Sequence, residues 1–145
     1  LFSCRLVGTS LLQGLLVLAA VALRYEAVLK GAALPAAQAR AAAFTALVAG
    51  ALALVVANRA HGGNLAAALR RPNPALARIT LASVALMAAV LGWAPLRRLF
   101  HFDLPATPGA IAALIGASVA IGVAVLLLIE AAKALGLRID APTPH

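Results

Sequence analysis

The side chains in this chain that could bind a cation or move a proton are few, and they are scattered. The carboxylates are Glu26, Asp103, Glu130 and Asp140, and none lies in the middle of an apolar run. Glu26 precedes Lys30 by four residues and can pair with it if a helix continues that far. Glu130 precedes Lys133 by three, the spacing of a helix-end ion pair. Asp103 reads as a solvated loop residue and Asp140 as part of a tail. His61, His101 and His145 share no metal-ligand spacing with one another or with the single Cys4. One cysteine also excludes an internal disulfide. There is no Gly-rich phosphate loop, carboxylate dyad or Ser-His-Asp set, so no catalytic residue and no metal site is assigned. The polar residues well inside apolar runs are Ser10, Gln13, Thr45, Ser83 and Ser118. Serine and threonine there ordinarily bond the carbonyl of the preceding turn. A glutamine needs partners in lipid, so Gln13 reads as inter-helix glue, with a cavity-lining role as the alternative. It is the one candidate ion ligand, on polarity alone.

These residues sit in a chain built for lipid. Of 145 residues, 64% are hydrophobic and 11% charged, with a mean hydropathy of +1.03. Four apolar runs, at 6–23, 41–57, 79–94 and 110–129, approach the length that crosses a hydrocarbon core of roughly 30 Å. Arg40 and Arg59 bracket the second with no charge between them. Backbone groups in hydrocarbon must bond internally, which leaves helices or closed barrels. The runs are too long and too rich in alanine and leucine for barrel strands. The predicted fold is therefore an all-α membrane protein with four transmembrane helices. The net charge of +8 does not indicate nucleic acid, because the basic residues are dispersed over every connection.

Charge counting predicts an orientation. Arg5, Arg59, Arg70, Arg71, Arg78, Lys133 and Arg138 fall on one side, and Arg24, Lys30, Arg40, Arg97 and Arg98 on the other. The positive-inside rule then puts both termini in the cytoplasm. Residues 1–138 are expected to form the membrane domain and 139–145 a flexible tail. His61-Gly62-Gly63 and Arg71-Pro72-Asn73-Pro74 bracket a short piece at 64–70 that could form an interfacial helix turn. Pro95 is expected to close the third helix, and Thr107 to cap the fourth ahead of Pro108. Small residues at four-residue spacing predict packing surfaces: Ala112, Gly116, Ala120 and Ala124 on the fourth helix. On the second, Ala42, Ala46 and Gly50 form one row and Ala49, Ala53 and Ala57 another. The chain begins with Leu1 rather than Met, so a fragment or processed product is expected.

From Ala39 to Leu135 the order of features resembles the end of a P-type cation-transporting ATPase. Ala39-Arg40, Ala43-Phe44 and Leu47-Val48, leading to Asn58-Arg59, are similar to that family's eighth helix and its exit. Leu69-Arg70 and the Asn73 to Leu76 stretch resemble the link to the ninth helix. Pro95-Leu96, Leu99-Phe100 and Leu104 resemble the short outer loop, and Glu130 with Lys133 the Glu-x-x-Lys that ends the tenth. Leu12-Gln13-Gly14 looks like the start of the seventh. The resemblance implies the last four of ten transmembrane helices and a cytoplasmic position for both ends.

It also implies a role without an activity. The family's phosphorylated Asp-Lys-Thr-Gly sequence is absent here, and ATP and magnesium are implied only for a full-length pump. Some relatives place an ion ligand in the eighth helix near the position of Ala51. Gly50, Ala51 and Leu52 offer no ligating side chain, so no ion site is carried over. The expected partners are the lipid bilayer and the upstream helices and cytoplasmic domains of the same pump, with no nucleic acid. The expected location is a bacterial-type plasma membrane. The alternative is a free-standing small multipass protein, an oligomeric transporter or scaffold with the fourth-helix row as its interface.

Overall fold

In a computed structural model, which describes residues 4–59 and 73–139, the chain is helical at all four predicted spans. The tail beyond Ile139, the glycines at 62 and 63 and the 64–70 piece lie outside the described residues. Helix α1 (Cys4–Glu26) passes into a single π-helical segment, Ala27–Gly31. Helix α2 is Ala36–Arg59, α3 is Pro74–Gly92, α4 is Ala94–Leu99 and α5 is Pro108–Ile139. With 24 residues, α2 is roughly 36 Å long and crosses a bilayer core.

Local chemistry sets the boundaries. Asn73 Oδ1 accepts from the Ala75 and Leu76 amides at 2.8 and 3.1 Å, and Pro74 occupies the first turn of α3. Thr107 caps α5 as its sequence position indicated, accepting from the Ala110 amide at 3.3 Å. The first helical stretch continues past residue 23, so Glu26 and Lys30 pair at 2.5 Å. Pro95 requires a correction. The third helix already ends at Gly92, Trp93 is extended, and Pro95 lies in the first turn of the short α4. A proline tolerated at a helix start opens α4 here instead of closing α3.

The helices alternate in direction. Val28 of the first stretch packs with Ala39, Ala42 and Leu114, whereas Val17 packs with Ala57, Val125 and Ile129. Helix α1 therefore runs antiparallel to both α2 and α5, which run parallel to each other and share the most extensive contact. At their crossing the backbones nearly touch. A Cβ placed on Gly122 would stand 2.6 Å from Ala49 Cβ and 2.8 Å from its carbonyl carbon. A Cβ on Gly50 would meet Val17 Cγ1 at 2.8 Å, so Val17 seats in the space that glycine leaves. Helix α3 is looser, with only Val90 and Leu91 buried.

The two glycines differ in what surrounds them. Backbone cannot yield at Gly122, whereas a side-chain methyl can turn away at Gly50. Overpacking of this kind costs about 1–3 kcal/mol. Gly122→Ala is expected to destabilise the chain by that order in detergent unfolding, and Gly50→Ala by less. Equal costs at both sites would contradict this description of the crossing.

Candidate functional site

The residues singled out by the sequence gather at the two ends of the α2–α5 pair, not at its centre. At one end Arg40, in the first turns of α2, reaches the connection between α4 and α5. Its Nε and Nη2 donate to the His101 carbonyl at 3.1 and 2.9 Å. His101 has a left-handed backbone with φ of 53°, a conformation that non-glycine residues keep only when neighbours hold it. Phe102 then turns inward, with its ring 5.3 Å from that of Phe44 and 5.6 Å from that of Phe100. The Asp103 amide donates to the Ala37 carbonyl at 3.3 Å. Arg40, Phe44 and Phe100 thus form one fastening with His101 and Phe102, and Pro95 starts the short helix that leads into it.

At the other end Lys133 of α5 donates to the Ala57 carbonyl, in the last turn of α2. The same ammonium pairs with Glu130 at 2.9 Å. A cation at a helix C-terminus satisfies carbonyls left without partners and complements the helix dipole. Asn58 and Arg59 follow, both exposed.

Between the ends, residues 50–52 of α2 carry no polar side chain. Ala51 is exposed, Gly50 lies beneath Val17, and Leu52 lines an apolar cleft of about 270 Å³ between α2, α3 and α5. Among the described residues no three His, Cys, Asp or Glu side chains come together. Gln13 is buried one turn before Val17 on α1. Thr45 and Ser118 donate to the carbonyls of Ala41 and Leu114, at 2.9 and 2.8 Å, as their mid-helix positions foretold.

The packing rows divide. Ala46 and Gly50 are buried in the bundle, but Ala112, Gly116, Ala120 and Ala124 are all exposed. Within the chain α5 packs instead through Leu114, Ser118, Gly122, Val125 and Ile129. The expected α5 row is therefore not the intramolecular one. Ser118 and Gly122 are themselves four apart, and that shorter signal marked the contact face. Arg24 was also missed as an inter-helix residue, because counting charges by segment placed it in a connection. Its Nε donates to Ser118 Oγ and its Nη2 to the Leu114 carbonyl, both at 3.1 Å.

Residues 1–135 match the model of the family described as the C-terminus of cation transporting ATPases. The chain belongs to this family. It is the C-terminal membrane domain of a P-type cation-transporting ATPase. No curated protein and no solved structure matches it. In this ATPase domain several residues that carried the family likeness, Arg40, Phe44, Phe100 and Lys133, make contacts between segments.

Lys133 supplies the test. Replacing it with methionine leaves Glu130, whose side chain is only 13% exposed, without its cation. Removing one partner of a charge-assisted hydrogen bond costs about 1–3 kcal/mol. Lys133→Met is expected to lower unfolding stability in micelles by that amount, and Lys133→Arg to restore part of it. Wild-type stability in Lys133→Met would show that the contact does not fasten α2 to α5.

Proposed function

We propose that this domain braces the ion-carrying helices of its pump during ATP-driven cation transport and performs no catalytic step itself. The observation that carries the reading is the pairing of α2 with α5, close-packed at Gly122 and fastened at both ends. Such a pair suits a fixed wall against which neighbouring helices move. The exposed face at Ala112, Gly116, Ala120 and Ala124 suits close approach by a further helix. Its proposed occupant is an upstream helix of the same pump. Nucleotide, magnesium and the phosphorylated aspartate belong in this reading to the cytoplasmic domains.

The proposed orientation puts both ends of the chain in the cytoplasm. The seven-to-five distribution of basic residues supports it, and the alternation of helix directions is what brings the two ends to one common side. A bacterial-type plasma membrane is the proposed location.

Cysteine chemistry in the pump that carries this segment tests both points. Gly116→Cys is expected to crosslink to an upstream segment of the same polypeptide. In the same membranes an impermeant maleimide applied outside should label Ala106→Cys and leave Arg59→Cys unmodified. Crosslinking only between two copies of the chain would favour an oligomeric role and overturn the bracing assignment. The reverse labelling pattern would overturn the orientation.

A further inference from the structure

Arg24 lies within a membrane span, and no carboxylate neutralises it among the described residues. Its two hydrogen bonds among the described residues go to neutral oxygens on α5, the Ser118 hydroxyl and the Leu114 carbonyl. A guanidinium has five N–H donors in a planar fork, so more than half of them, Nη1 included, are left over. Of the carboxylates at that end of the bundle, Glu26 pairs with Lys30, and Asp103 is exposed in the α4–α5 connection with Oδ1 accepting from the Leu104 amide. A charge held in this position, with donors to spare, favours an anion at the headgroup level.

The surroundings indicate which anion. Tyr25 is the next residue, and Trp93 closes α3 at the same end with 61% of its surface exposed. Aromatic residues of this kind mark the headgroup level. Arg40, Arg97 and Arg98 stand at that end as well, an excess of positive charge that one carboxylate from a neighbouring helix would not balance. Below Arg24, Leu15, Leu18 and Leu23 are exposed along α1 and present an apolar wall to acyl chains. We propose that Arg24, oriented by Ser118 and the Leu114 carbonyl, holds the phosphate of an anionic phospholipid at the junction of α1 and α5. The fork geometry suits two phosphate oxygens at once.

Native mass spectrometry of the full chain, released from nanodiscs of equal phosphatidylglycerol and phosphatidylcholine, tests this assignment. The wild type is expected to retain phosphatidylglycerol several-fold over phosphatidylcholine. Arg24→Gln, with helicity confirmed by circular dichroism, should fall to parity, and Arg24→Lys should lie between. Arg40→Gln should keep the preference, because the Arg40 donors serve the His101 carbonyl. The wild-type preference needs no variant to fold, and its absence would overturn the proposal in favour of a protein carboxylate. Undiminished retention in Arg24→Gln would also overturn it. Loss of retention on adding inorganic phosphate would overturn the lipid as the source of the anion.

Discussion

The near-contact of two backbones at Gly122 and Ala49 is the constraint on which the rest depends. In lipid, helices gain nothing from hydrophobic burial against each other, so association relies on dispersion, hydrogen bonds and close fit. A missing Cβ at Gly122 allows that fit, and α2 and α5 can then run parallel along most of their length. Their shared surface seats Val17, which places α1. The ends must still be fastened, because small side chains provide little resistance to sliding. Arg40 and Lys133 do this from opposite ends, Arg40 by donating to the His101 carbonyl in the connection that leads into α5 and Lys133 by donating to the Ala57 carbonyl of α2. Helix α3 has no comparable glycine contact and leaves an apolar cleft beside the pair.

Much of this was legible in the sequence because lipid imposes simple rules. The four spans follow from run length and backbone satisfaction. The cap at Thr107, and the pairs Glu26–Lys30 and Glu130–Lys133, follow from local spacing, whereas the Asn73 cap was read only as part of a turn. Contacts between distant segments were less accessible. In an alanine-rich helix many small-residue rows exist, and spacing alone does not say which one faces the chain's own partner. Hence the row at 112–124 was chosen while the row through Ser118 and Gly122 made the contact. Arg24 was assigned by segment to a connection, although its long side chain reaches sideways to α5. Trp93 breaks a helix that Pro95 was expected to end, because proline resists helix interiors but fits helix starts.

The site chemistry matches the family assignment in an indirect way. Several residues that resemble the ATPase family, Arg40, Phe44, Phe100 and Lys133, hold segments together, and the middle of α2 presents Gly50, Ala51 and Leu52. In the proposed reading the domain contributes to transport by holding its shape, with close packing giving a fixed reference for the helices that carry ions.

The most direct test of that account is the distance between α2 and α5 during turnover. Spin labels at Leu47→Cys and Val123→Cys, both exposed positions on the two helices, can be followed by pulsed electron resonance in the pump containing this segment. The account predicts one distance distribution, unchanged between nucleotide-free and phosphorylated states. A shift of about one helical turn, roughly 5 Å, between those states would contradict it.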